Sequence, residues 1–262
     1  MDKILAIANQ KGGVGKTTTS VNLAASLAAT QRRVLLIDLD PQGNATMGAG
    51  IDKSALTGSI YDVLSGHGDA AAAISRSPSG FDVIGANADL TAAEIQLVNA
   101  ERKELRLRTA LNKVRDKYDF IIIDCAPSLN MLTLNGLVAA DGVIIPMQCE
   151  YYALEGLAAL TGTIDHVVHS ANPKLRITGI LRTMFDPRNT LANDVSSELL
   201  THFPGQVFET IIPRNVRLAE APSHGLPVLQ YDKASRGAMA YLALAAELLR
   251  RQDSPKPVAA SA

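Results

Sequence analysis

Eight consecutive residues, Lys11-Gly-Gly-Val-Gly-Lys-Thr-Thr18, carry the strongest chemical signal in the chain. Glycines let successive backbone N–H groups turn toward one point, and a helix that starts directly afterwards adds the positive end of its dipole there. Such a cradle suits phosphate oxygens. Gly12, Gly13, Val14, Gly15 and Thr18 would supply backbone contacts, Lys16 would reach the β- and γ-phosphates of a nucleotide, and the Thr17 hydroxyl would bind Mg²⁺. The usual form of this loop has glycine six residues before the lysine. Gln10 stands there instead, with a second lysine, Lys11, beside it.

Three carboxylates converge on the same place. Asp38 and Asp40 follow the apolar run at Val34, and Asp124 follows the run at Phe120. In a parallel sheet ligands sit beyond the carboxyl ends of the strands, so all three should arrive near the phosphates. Left alone they would repel one another, and a Mg²⁺ ion bridging phosphate oxygens makes the cluster favourable. Asp124 is assigned to a magnesium-bound water, Asp38 to a supporting position behind it, and Asp40 to orienting or deprotonating the attacking water.

These residues need a scaffold, and the hydrophobic pattern describes one. Short apolar runs alternate with Ala/Leu-rich stretches of helical period, which predicts βαβ units. Strands are expected at Ile4–Ala8, Val34–Ile37, Phe81–Ile84, Phe120–Ile123, Gly142–Met147, Ile177–Thr183 and Val207–Ile212. Helices are expected at Lys16–Ala29, Ala92–Asn99, Lys103–Lys117, Asn130–Ala139, Ala153–Ser170, Leu191–His202 and Ala234–Arg251, with a short one at Ile60–Ser65. Strands apolar on both faces imply helices on both sides, so the fold class is α/β, a single doubly wound and mainly parallel sheet. One domain is expected over residues 1–251, with a disordered tail at 252–262. The stretch from Gln42 to Ser79 resists assignment.

Composition narrows the function classes. The 262 residues are 47% hydrophobic and 19% charged, values of a globular rather than a disordered or fibrous chain. Lys plus Arg number 25 against 26 acids, so no global basic field marks the molecule. The balance shifts along the chain, from 14 against 18 in residues 1–170 to 11 against 8 in residues 171–262, which leaves room for a basic patch late in the sequence. Two cysteines, Cys125 and Cys149, and no signal-peptide pattern predict a reducing cytosol, with both thiols buried. No apolar run is long enough to span a membrane. The five histidines form no readable ligand set, and His166 and His169 are expected on the surface.

The loop, together with Asp38-Leu-Asp-Pro-Gln-Gly43, Ile123-Asp-Cys-Ala-Pro-Ser-Leu129, Thr183-Met-Phe-Asp-Pro-Arg188 and Ile212-Pro-Arg-Asn-Val-Arg-Leu-Ala-Glu-Ala-Pro-Ser-His-Gly225, resembles the deviant P-loop ATPases of the ParA/MinD group, and within them the ParA (Soj) proteins of DNA partitioning. The resemblance covers about residues 3 to 251. It implies ATP as the nucleotide and an ATP-dependent homodimer in which Lys11 touches the partner's phosphates. It further implies that Gly12 must stay small where the partner approaches, and that Pro213 and Asn215 lie near the adenine. Arginines at the positions of Arg188 and Arg217, and less directly Arg236, would bind double-stranded DNA without sequence preference, and a ParB-type partner would stimulate hydrolysis. Such a protein would be cytoplasmic and nucleoid-associated. With the loop starting at Lys11, an N-terminal DNA-binding domain is not expected.

Two positions depart from the pattern. Ala126 replaces a common proline, and Arg182 occupies a strand position that is usually aliphatic, to be read as a partly exposed edge residue or an extra phosphate contact. Two relatives of different function compete. A MinD-like membrane-cycling ATPase would need an amphipathic basic tail, which residues 252–262 do not offer. An iron-sulfur reductase of the nitrogenase-iron-protein kind would need two cysteines facing a dimer partner.

Overall fold

The computed structural model describes residues 2–98 and 101–253. Seven strands make one sheet: β1 (Ile4–Ile7), β2 (Val34–Leu39), β3 (Ile74–Arg76), β4 (Asp82–Ile84), β5 (Phe120–Cys125), β6 (Gly142–Met147) and β7 (Arg176–Arg182). Their spatial order is β3-β4-β2-β5-β1-β6-β7, parallel throughout except for β3. The helices are α1 (Lys16–Ala29), α2 (Asn44–Gly48), α3 (Ile60–Ser65), α4 (Leu90–Val98), α5 (Arg106–Leu111), α6 (Met131–Ala139), α7 (Ala153–Ser170), α8 (Thr190–His202), α9 (Val216–Glu220), α10 (Val228–Tyr231) and α11 (Arg236–Asp253).

The expected doubly wound architecture is what forms. Along β1 the side chains alternate between two cores: Ile4 and Ala6 face one, Leu5 and Ile7 the other. The first core is closed by α3 to α8, the second by α1, α10 and α11. Apolar side chains on both faces of β1, β2 and β5 are therefore all buried, which is why these strands read as unbroken apolar runs.

Three elements differ from the sequence reading. Val207–Ile212 makes no continuous strand, only single bridges of Val207 with Ile180 and of Pro213 with Phe185. Between them the N–H groups of Glu209 and Thr210 turn to the buried carboxylate of Glu247, at 2.9 and 2.8 Å, and the ladder is interrupted. The expected helix Lys103–Lys117 is broken into α5 flanked by 3₁₀ turns at Lys103–Leu105 and Arg115–Lys117. Asn135 of α6 clamps its start, donating to the Lys103 carbonyl and accepting from Leu107 N–H. Within Gln42–Ser79 the chain forms α2, the expected α3 and the antiparallel edge strand β3.

Arg182 is neither a partly exposed edge residue nor a phosphate contact. It is 7% exposed, and its guanidinium donates to Ser196 Oγ and to the carbonyls of Phe208 and Glu209. α4 starts two residues before the expected Ala92, and Asn99 lies outside the described residues. α11 runs on to Asp253, and Gln252 donates to the Asp2 carbonyl at 2.7 Å; the rest of the expected tail lies outside the described residues.

Candidate functional site

β1 enters the loop through Asn9, whose side chain donates to Pro146 O of β6 at 2.8 Å and accepts from Lys11 N–H at 3.0 Å. The loop is thereby fixed to the neighbouring strand before it turns. Gly13 and Gly15 have φ of 75° and 87°, backbone that L side chains resist, so these two glycines are demanded by the turn itself. Thr183, just past β7, donates to Val14 O at 2.8 Å and supports the loop from the other side. No residue among those described accepts a hydrogen bond from the backbone N–H groups of Gly12 to Gly15. At the start of α1 four unengaged backbone donors and the helix dipole thus remain available to an anion.

Lys16 is 7% exposed, and its Nζ folds back onto the Lys11 carbonyl at 3.0 Å. Burial lowers its pKa, while the charges of Asp124, Cys125 and Asp40 work in the opposite direction. Asp38 and Asp124 are register partners on adjacent strands and both are fully buried. Asp38 is satisfied: Thr46 donates to its Oδ2 through both N–H and hydroxyl at 2.8 Å, and Asp40 N–H donates to Oδ1. Asp124 is not. Ser20 donates to Oδ1 at 2.7 Å, but Oδ2 is sealed from solvent and completes no hydrogen bond. Burial, and then the Asp38 charge, raise the Asp124 pKa. Asp40 is half-exposed on the rim, accepting from Gln42 N–H.

A cleft of about 580 Å³ opens above these groups. Gly12, Gly13, Gly15, Lys16, Thr17, Thr18 and Asp40 line it, together with Pro213, Asn215 and Met184. Asn215 caps α9, its Oδ1 accepting from Arg217 and Leu218 N–H. Lys11 points elsewhere, to Glu150 after β6. The structure therefore gathers Gly12, Gly13, Gly15, Lys16, Thr17, Thr18, Asp40, Pro213 and Asn215 around one cavity, with Asp38 and Asp124 buried at the strand ends and Lys11 turned to Glu150.

The arginines occupy three segments: Arg188 the loop after β7, Arg217 helix α9, and Arg236 the start of α11. Arg188 is paired with Asp186, and Arg217 with Glu220 and Asp232, while Arg236 opens α11 on the surface. Phe185 N–H donates to Ile212 O, and Gly237 lies under Leu218, so these segments are physically joined. Cys125 and Cys149 are buried, as expected, and burial pushes the Cys149 thiol up to about 11. His166 and His169 lie on the surface. Among the described residues no His/Cys/Asp/Glu group could by itself hold a metal ion, and no helix is long and apolar enough to cross a membrane.

Three supports escaped the sequence reading: Ser20, Thr46 and Thr183. Ser20 lies four residues after Lys16 and hence on the same helix face, a signal helical periodicity could have raised. Thr46 and Thr183 gave none, because their roles arise only when distant segments meet.

A family model described as an AAA domain matches residues 2–177. The chromosome partitioning protein ParA of Myxococcus xanthus is 54% identical over 255 residues, 97% of this chain and 90% of that protein. The sporulation initiation inhibitor protein Soj of Bacillus subtilis is 53% identical over 249 residues, 95% of this chain and 98% of that protein. A solved structure, cobyrinic acid a,c-diamide synthase from Mycobacterium smegmatis with bound ATP analogue and magnesium, is 40% identical, covers 97% of both chains and superposes with a TM-score of 0.85. With glycine loop, strand-end carboxylates and parallel sheet all in place, the chain belongs to the ParA/Soj family of chromosome-partitioning ATPases.

Proposed function

We propose that the protein is a Mg-ATP-dependent dimerising ATPase that binds DNA non-specifically in its ATP state and leaves it on partner-stimulated hydrolysis, in chromosome or plasmid partitioning. The observation that carries this reading is the pairing of unengaged loop N–H groups with the orphaned, buried Oδ2 of Asp124 beside Lys16. A lone buried carboxylate oxygen is costly, and a hydrated cation held between it and a phosphate removes the cost.

The donor set fits Mg²⁺: the Thr17 hydroxyl as a direct ligand, Asp124 through a water, and Asp38 holding the neighbouring backbone in place. When bound, the ion would neutralise charge on the β- and γ-phosphates. The protein's own groups do the rest. Loop N–H groups and Lys16 hold the phosphates, Pro213 and Asn215 border the base end, and Asp40 orients or deprotonates water. The assigned catalytic set of Lys11, Lys16 and Asp40 contains no glutamine or arginine for the charge of the transition state, so a ParB-type partner or the second subunit, through Lys11, would complete the site.

Gly12 supports the dimer. Unlike Gly13 and Gly15 it has no positive φ, and a Cβ built on it meets nothing within 4 Å. The fold does not require this glycine, so the need for a small residue that the family resemblance implies would come from something that approaches it. Arg188, Arg217 and Arg236 would supply phosphate contacts, doubled by dimerisation, which suits a cytoplasmic protein that rides on the nucleoid.

Binding to duplex DNA and to anionic vesicles, with ATP, ADP or no nucleotide across a salt series, tests the whole reading. ATP-dependent, salt-sensitive DNA binding without vesicle binding is expected; vesicle binding alone would transfer the protein to the membrane-cycling branch. Asp40→Ala should trap the ATP dimer on DNA, and normal turnover by that variant would remove Asp40 from its role.

A further inference from the structure

Lys11 does not wait in solvent. Its Nζ lies 2.5 Å from Glu150 Oε2, with the two side chains 43% and 50% exposed. The contact is set up by backbone on both sides. Asn9 ties the loop to β6 through Pro146 O and holds Lys11 N–H, which aims the lysine across β6. After β6 the chain folds into a tight turn, with Glu150 N–H donating to Gln148 O and Ala153 N–H to Glu150 O, which presents the carboxylate toward the loop. Glu150 and Arg214 also border one small cavity of about 170 Å³, so another cation stands near the carboxylate if Lys11 departs. Tyr151 and Tyr152 follow at once, 74% and 70% exposed and packed edge to face at 5.0 Å, on the same rim.

We infer that Glu150 parks Lys11 in cis and thereby sets the threshold for dimerisation: the lysine must leave its own subunit's Glu150 before it can reach the phosphates of a second copy. The inference rests on the proposed trans role of Lys11 and adds to it a positioning residue. In the free subunit the parked pair has no net charge to offer. Two phosphate groups presented by a partner outcompete a single half-exposed carboxylate, whereas a nucleotide lacking the γ-phosphate competes less well. Glu150 therefore sharpens the difference between the ATP and ADP states and suppresses dimers formed without nucleotide.

The test is the concentration midpoint of dimerisation, measured by sedimentation equilibrium with a non-hydrolysable ATP analogue, for the full chain and four variants. Glu150→Gln should dimerise at a concentration about 2- to 30-fold lower, since two exposed ion pairs are lost from the free subunits, and the gap should close near 0.5 M salt. Glu150→Asp, which keeps a carboxylate, should return the midpoint toward that of the unmodified protein. Glu155→Gln removes an exposed carboxylate in the first turn of α7 that does not touch Lys11, and should leave the midpoint where it was. An unchanged or weakened Glu150→Gln dimer overturns the inference, as does an equal shift in Glu155→Gln, which would mark a general charge effect. Lys11→Ala separates the two layers: if it dimerises normally the trans role fails, whereas if it stays monomeric while Glu150→Gln is unchanged only the parking role fails.

Discussion

The phosphate loop and the arginine loops are both read as sites for phosphate, and they are built in opposite ways. At the loop the donors are backbone N–H groups, Lys16 is 7% exposed, and Asp38 and Asp124 are wholly buried. Every supporting contact is short and fixed: Thr46 on Asp38, Ser20 on Asp124, Thr183 on Val14. At the arginine segments the donors are long side chains, Arg188 88% and Arg217 47% exposed, held only by surface carboxylates. A buried site gains strength from low dielectric and fixed geometry, and so selects one ligand in one pose. An exposed cluster gains only screened Coulomb energy, and so accepts any phosphate backbone and yields to salt. The first arrangement suits a nucleotide that must be hydrolysed, the second a polymer that must be gripped anywhere and released.

Substitutions should separate the two regions. Lys16→Ala should have the largest effect, lowering ATP affinity about 100-fold or more by loss of a charge-assisted contact in a dry site, with thermal stability nearly unchanged; calorimetric titration reads it. Next, Gly12→Val should abolish ATP-dependent dimerisation yet unfold at the same denaturant concentration as the unmodified protein, because a Cβ at this position meets nothing within 4 Å. Gly15→Val should do the reverse in part, costing roughly 1–2 kcal/mol in folding because φ is 87°. A Gly12→Val protein that dimerises normally would erase the distinction between a glycine required by the fold and one required by a partner.

Smaller effects belong to the exposed region. Arg217→Ala should lower DNA affinity of the ATP state more than tenfold at 0.15 M salt, spare ATP binding, and reduce the salt slope by about 2 per dimer. Unchanged affinity would leave Arg217 as an ordinary ion-paired residue of α9. The smallest change is expected at Arg33–Asp119, a surface pair remote from both sites. Arg33 holds the Asp119 carboxyl down at about 2. Its contribution is present above the ordinary aspartate pKa of about 4 and is lost as pH falls toward 2, so Arg33→Ala should flatten that acid limb slightly. A large change there would mean that solvated arginine pairs are worth more in this protein than the contrast assumes.

Much of the site was legible in the sequence because it is local. Lys11 to Thr18 form one loop, and Asp38, Asp40 and Asp124 lie at the ends of strands whose apolar runs are unmistakable. The misreadings cluster where a distant polar group intervenes. Val207–Ile212 has the β-branched and apolar pattern of a strand, but Glu247 from α11 takes two of its N–H groups. Lys103–Lys117 has helical period, but Asn135 clamps its first turn. Arg182 looked out of place on an apolar strand because its three acceptors, one on α8 and two on the segment after it, are invisible from its own neighbourhood.

The sequence by itself determined the parallel core of the sheet, most of its helical covering and the glycine loop with its strand-end carboxylates, since hydrophobic period and glycine placement act over a few residues at a time. Tertiary structure alone decided which carboxylate keeps an unsatisfied oxygen, which glycine the fold can spare, and where Lys11 rests. Those outcomes depend on desolvation and on contacts such as Lys11 to Glu150 that close only when strands far apart in the chain become neighbours.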